Sequence, residues 1–262
     1  MTASELSRAL RDNIPACMAC DWDNDGEMCL PDPDRAVCRV LVVLDITDEA
    51  VDHAIEGGYD AIVSHHPLIF KGIKHLTPDD IIARRLIKLC RHGIAALSYH
   101  TALDAMDGVN DRLASQLGLT NITSFGEEAY PVGRIGNLPA PVTAQVFAQH
   151  IAAVLGCTAV TVGNPDIPAY RVAVIGGSGE DDIPAAMAAG ADTMVTGEAG
   201  YHEMLDAAAM GFDVMTAGHF FTEQSTLAQL KELLTAIDPA VETDIYNTNR
   251  MTTVVSARGV AP

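Results

Sequence analysis

A chain of 262 residues carrying a formal net charge of −19 repels phosphate backbones and anionic lipid surfaces, so nucleic acid and membrane are excluded as expected partners. Apolar residues make up 48% of the sequence and aromatic residues only 5%, so aliphatic side chains do the packing, as in an α/β protein with buried parallel strands. No apolar run is long enough to span a bilayer, the first ten residues lack a secretory pattern, and the six cysteines do not form paired zinc-knuckle spacings; a cytoplasmic protein with reduced thiols is expected.

Along the chain, residues 4–14 read as an amphipathic helix and residues 20–35, rich in Asp, Pro and Gly, as loop. The apolar run 40–44 ends in Asp45 and reads as a buried strand; Asp48 caps a helix that Gly57 and Gly58 close. Residues 61–63 form the next strand and deliver His65 and His66 to its end, with Pro67 fixing the turn beyond. A helix over 79–91 stops at Gly93, and the strand 94–97 delivers His100. A further helix spans 109–117.

The pattern weakens over 120–140, where a junction is expected between a first α/β unit (1–125) and a second (126–262), with 213–262 returning to pack on the first. In the second unit a helix covers 143–155 and strands cover 159–162, 171–175, 193–195 and 212–215. Helices cover 183–189 and 201–210, and the strand 212–215 delivers His219 and Glu223. Glu223 opens a helix to residue 234, and residues 252–255 close the chain as a strand.

The two halves carry related text. Residues 58–66 align without a gap on 190–198, placing His66 on Glu198; one later gap pairs His100 with His219 and Asp104 with Glu223. Matched polar residues at strand ends favour a duplicated α/β fold with mixed, mostly parallel sheets. Their strand ends would face a shared cleft, where ligands bind in such sheets.

Neutral imidazole nitrogens and carboxylate oxygens suit Zn, Fe, Mn, Co or Ni without selecting one, and the absence of Cys argues against a purely structural zinc. His65 and His66 are adjacent and leave a strand end, so each can serve a different ion. Asp104 and Glu223, each four positions after a His, are the natural bridging carboxylates for two metals about 3.5–4 Å apart.

Ser64-His65-His66-Pro67-Leu68-Ile69-Phe70, His100-Thr101-Ala102-Leu103-Asp104, Thr196-Gly197-Glu198 and Gly218-His219-Phe220-Phe221-Thr222-Glu223 resemble the Nif-three-like dinuclear-metal family, commonly labelled GTP cyclohydrolase 1 type 2 homologue. Trp22-Asp23-Asn24, Leu44-Asp45 and Gly176-Gly177-Ser178-Gly179 look like it too. The resemblance implies a duplicated α/β fold, two divalent metals per subunit and a ring-shaped homohexamer. It implies His65, His66, Asp104, His219 and Glu223 as metal ligands, with His100 and Glu198 beside them. The sequence departs from the family at Asn24-Asp25-Gly26-Glu27-Met28, where apolar residues are usual; that departure is expected to leave the metal motifs untouched.

The expected function is a metal-dependent hydrolase of a small nucleotide-like or phosphorylated substrate, cyclohydrolase-like or a phosphoesterase. His100 and Glu198 would move protons. Gly177 and Ser178 would cradle an anion through backbone amides, with Lys71 nearby. The alternative is a non-enzymatic metal-binding or adaptor hexamer.

Overall fold

The structure, a computed structural model, describes residues 1–105, 108–127 and 130–250. The expected strand at 252–255 lies outside them. The first run of elements is α1 (Ala3–Asn13), β1 (Gly26–Cys29), β2 (Arg39–Val43), α2 (Asp48–Glu56), β3 (Ala61–Ser64), α3 (Ile81–His92), β4 (Ala95–Ser98), α4 (Thr101–Ala105) and α5 (Val109–Gln116). Next come β5 (Thr120–Glu127), β6 (Tyr130–Val142), α6 (Ala144–Leu155), β7 (Thr161–Val162), β8 (Ala169–Ser178) and α7 (Ile183–Ala188). The chain then continues through β9 (Thr193–Glu198), α8 (Tyr201–Ala209), β10 (Asp213–Thr216), α9 (His219–Glu223), α10 (Ser225–Ile237) and β11 (Glu242–Ile245).

Two mixed sheets result. The first has the order β1-β4-β3-β2-β11, all parallel except β1, which runs antiparallel to β4. The second has the order β5-β6-β8-β9-β10-β7, with β8, β9 and β10 parallel and the others antiparallel. Helices cover both faces of each. Val40, Val42 and Val63 pack with Leu6, Leu10, Leu230 and Leu234, while Leu41, Val43 and Ile62 pack with Ala50, Val51, Leu86 and Leu89. This is why β2, β3 and β4 read as continuous apolar runs rather than alternating ones. In the second sheet Val172, Val174 and Val195 meet Leu113, Phe147 and Ile151, and Ala173, Met194 and Val214 meet Ile183, Ala186 and Ala207.

The helices begin and end where the local chemistry says they should. Thr2 and Glu5 form a reciprocal capping box on α1, and Thr47, Asp80 and Thr143 cap α2, α3 and α6 through side-chain oxygens. Gly93, in the left-handed conformation at φ 64°, closes α3 and turns the chain into β4.

Four local expectations are corrected. The weakly patterned stretch 120–140, read without an element, forms β5 and most of β6, with irregular pairing at Gly126 and around Pro139 and Pro141. The presumed loop 20–35 contains β1, held by antiparallel pairing to β4. Only Thr161 and Val162 of the strand expected at 159–162 are extended. The helix expected to start at Glu223 is two, α9 ending at Glu223 and α10 beginning at Ser225.

The runs β2-α2-β3-α3-β4-α4 and β8-α7-β9-α8-β10-α9 have the same element order. His66 follows β3 and Glu198 ends β9. His100 precedes α4 and His219 opens α9, with Asp104 and Glu223 inside those short helices.

Candidate metal centre

The parallel strands β3, β4 and β10 each release the chain at a carboxyl end, and the residues that follow turn inward. His65 and His66 come from the first, His100 and Asp104 from the second, His219 and Glu223 from the third. One ligand atom from each of His65, His66 and His100 lies within 4.8 Å of the others, and the same holds for His66, His219 and Glu223. The two groups share His66.

Three of the four imidazoles are oriented from behind. Nδ1 of His65 stands 3.0 Å from the carbonyl oxygen of Tyr99, so it carries the proton and donates, leaving Nε2 with its lone pair. That Nε2 is buried without a hydrogen-bond partner, 3.7 Å from Asp104 Oδ1 and 3.8 Å from Glu223 Oε1. Nδ1 of His66 is 2.8 Å from Oδ1 of Asp45, and Nδ1 of His100 is 3.0 Å from Oδ1 of Asp23. Asp23 also accepts hydrogen bonds from the backbone N–H and hydroxyl of Thr101. A carboxylate or carbonyl behind the imidazole is the usual support of a metal-binding histidine, because it fixes the tautomer and the ring plane.

The front faces converge on common space. Oε2 of Glu223 is 3.1 Å from both His66 Nε2 and His219 Nε2, yet no approach to it is aligned as a hydrogen bond. The two Nε2 atoms are themselves 3.3 Å apart. The buried Nε2 of His65 and Oε2 of Glu223, both without a hydrogen-bond partner, cost free energy unless a cation lies among them. The donor set therefore fits divalent metal.

The electrostatics agree. Burial opposes the charged form of His66, but Asp45 and Glu223 more than offset it and push the imidazole up to about 10. His219 is raised chiefly by Glu223, and His100 is raised by Asp23 and Asp104 against its burial. Glu223 is driven upward by burial, yet His219, His65 and His66 together hold it well below its ordinary value. Asp104 is raised, burial outweighing His65 and His100. The carboxylates that favour positive charge on these imidazoles favour a cation among them equally.

Gly177 makes the space. It has a φ of 68° and lies in a bulge of β8, between the pairs Ile175–Thr196 and Ser178–Glu198. A Cβ there would overlap Oε1 of Glu223 and stand 3.1 Å from Nε2 of His219. Gly177 thus serves the donor cluster rather than an anion. The backbone N–H groups of Gly176, Gly177 and Gly179 already donate to Asn110 Oδ1, Thr222 Oγ1 and Thr196 Oγ1, so the Gly177 amide is not free for the expected cradle.

The donors open onto a cavity of about 1060 Å³ whose wall includes His66, His100, Asp104, His219 and Glu223. Ser178 and Glu198 also line it, and Oε2 of Glu198 is 3.6 Å from Nδ1 of His219. Lys71 is exposed and is not among the lining residues. The departure at Asn24–Met28 does touch the site. Asp25 accepts hydrogen bonds from the backbone N–H of His100 at 2.8 Å and of Ala102 at 3.3 Å, and burial with the nearby Asp23 charge raises its carboxyl to about 6. Residue composition alone gave no sign of that role. Asp23 and Asp45 were visible as family look-alikes, but their partners were not.

A two-sheet α/β fold with histidine and carboxylate donors gathered at strand ends defines a class of protein equipped to bind metal. The chain belongs to the Duf34/NIF3 (NGG1p interacting factor 3) family, whose model matches residues 1–252. It is 30% identical over 241 residues to the GTP cyclohydrolase 1 type 2 homolog of Clostridium acetobutylicum, spanning 89% of this chain and 90% of that protein. It is 34% identical over 241 residues to protein NIF3 homolog of Schizosaccharomyces pombe, spanning 86% of each. A Staphylococcus aureus protein of known crystal structure superposes with a TM-score of 0.86 at 28% identity, over 97% of this chain and 99% of the other. No helix among the described residues is long and apolar enough to cross a membrane.

Proposed function

We propose that this chain is a metal-dependent hydrolase that holds two divalent ions side by side and acts on a small nucleotide-like or phosphorylated molecule, in cyclohydrolase or phosphoesterase fashion. The observation that carries the reading is the sharing of His66 between two donor groups on the wall of an open cavity. His65, His66, Asp104, His219 and Glu223 would hold the ions, with the carboxylates of Asp104 and Glu223 supplying the negative charge. When bound, divalent ions supply Lewis acidity to a scissile group and make water a nucleophile near neutral pH.

The protein's own groups do the rest. Asp45, Asp23 and the Tyr99 carbonyl hold three imidazoles in fixed tautomers. His100, inside the first donor group, and Glu198, at the cavity wall, take and return protons. The open cavity favours catalysis over a closed storage or adaptor site. Assembly as a cytoplasmic homohexamer belongs to this proposal; light scattering that gives a monomer mass contradicts it.

The deciding experiment is metal content per subunit on protein purified without chelator or affinity-tag metal, paired with GTP ring-opening and phosphoesterase assays. About two ions with turnover supports the reading. Two ions without turnover favours the non-enzymatic metal protein, and no ion after reconstitution overturns both.

A further inference from the structure

The cavity has an aromatic corner that the metal chemistry does not use. Trp22, the sole tryptophan of the chain, is 62% exposed, and Phe70 is 50% exposed. Both line the cavity. Their ring centroids are 6.0 Å apart, edge to face at 63°, and each also meets His100 edge to face, at 6.1 Å for Trp22 and 6.4 Å for Phe70. Two large aromatic rings left in water beside a candidate metal site have a cost that a ligand would relieve.

The corner is braced. Asn24 Nδ2 donates to the carbonyl oxygen of Ile69 at 2.6 Å, tying the Trp22 loop to the Phe70 segment. Asp23, next to Trp22, grips His100 and Thr101. The rings are therefore in fixed register with the donor cluster. The two rings do not stack on one another, both remain half or more exposed, and His100 lines the same cavity beside them.

We propose that Trp22 and Phe70 form a stacking subsite for a planar nitrogen heterocycle, such as a purine, and that the ring carries its reacting group to the histidine and carboxylate cluster. The proposal rests on reading this cavity as a substrate site. A flat heterocycle gains π stacking on one face and presents hydrogen-bonding edges to His100 and the donors. Stacking tolerates any base, so this corner selects the class of ligand, and the polar groups around it select the member.

The sole tryptophan reports on its own subsite. Metal-loaded protein is titrated with GMP, AMP, CMP and ribose 5-phosphate while Trp22 emission is followed. The expected result is saturable quenching by the nucleotides and none by ribose 5-phosphate. Phe70→Leu, at a half-exposed position that the fold tolerates, is expected to weaken GMP binding about tenfold with metal content unchanged. Trp22→Leu, read by calorimetry, is expected to weaken it at least as much.

Emission unresponsive to all three nucleotides, or equally responsive to ribose 5-phosphate, overturns the proposal. So does emission that acrylamide cannot quench in the ligand-free protein, since Trp22 then lies against another copy of the chain. Nucleotide quenching without any turnover leaves the subsite standing and removes the hydrolase reading. Turnover of base-free and base-bearing phosphoesters at the same kcat/KM, without quenching, does the reverse.

Discussion

Gly177 lies flat against Glu223, so that a single methyl on its Cα would overlap the carboxylate and crowd Nε2 of His219. Neither the space nor the φ of 68° admits an L side chain without strain. Gly177→Ala is expected to cost about 1–3 kcal/mol of stability. It should also weaken metal binding about tenfold or more by displacing Glu223. Thermal unfolding and metal titration measure the two separately; an unchanged affinity would show that Glu223 is not a ligand.

Because His66 belongs to both donor groups and His100 and His219 to one each, the three alanine variants should differ. His66→Ala is expected to lose all bound metal, His219→Ala only part of it and His100→Ala, whose role is proton transfer, little or none, and none should unfold. Glu223→Ala is expected to lose metal also. Elemental analysis of purified variants checks this, and equal metal content in His66→Ala and the wild type sinks the assignment.

Asp45 reaches only the back of His66, through the 2.8 Å hydrogen bond at Nδ1. Its side chain is half exposed, so its removal should scarcely affect stability. Asp45→Asn is expected to lower metal affinity about 10- to 100-fold, the usual cost of losing such a support. A calorimetric affinity within twofold of the wild type would mean that His66 is oriented by packing alone.

Far from the cluster, Asp213 is fully buried on β10. Its Oδ1 accepts from the Asn164 N–H at 2.7 Å, while Oδ2 lacks a hydrogen-bond partner, as does the hydroxyl of Thr193 at the paired position of β9. Burial raises this carboxyl above its ordinary value. The folded state then holds the proton more tightly than the unfolded one, so the favourable contribution is present in acid and lost as pH rises through the raised value. Asp213→Asn is expected to stabilise the protein by about 1 kcal/mol at pH 8 and by less at pH 4. Urea unfolding at the two pH values tests the sign; a larger gain at pH 4 refutes it.

Much of the centre was legible in the sequence because metal chemistry needs particular side chains at strand ends, and strand ends are easy to read. The His65-His66 pair, His100, Asp104, His219 and Glu223 stand where apolar runs stop, and the structure brings their ligand atoms or side chains to one cavity. The supports were hidden because they come from distant segments. Asp23 and Asp25 are more than seventy positions from His100, and no local pattern couples them. The β5–β6 pair is illegible in the sequence for a different reason. Its strands carry Gly126, Gly133, Pro139 and Pro141, which local propensity reads as loop, and only pairing across the sheet makes them strands.

The position of β11 has a consequence for biosynthesis. It lies beside β2, paired from Glu242–Arg39 to Ile245–Val42, about two hundred residues later in the chain. While the polypeptide is still emerging from the ribosome, the first sheet therefore waits with β2 as a bare margin, apolar from Val40 to Val43, the kind of edge that recruits foreign strands. A product that terminates before Glu242 would keep every candidate ligand and still leave that margin open, so premature termination should show itself as aggregation rather than as loss of the binding residues.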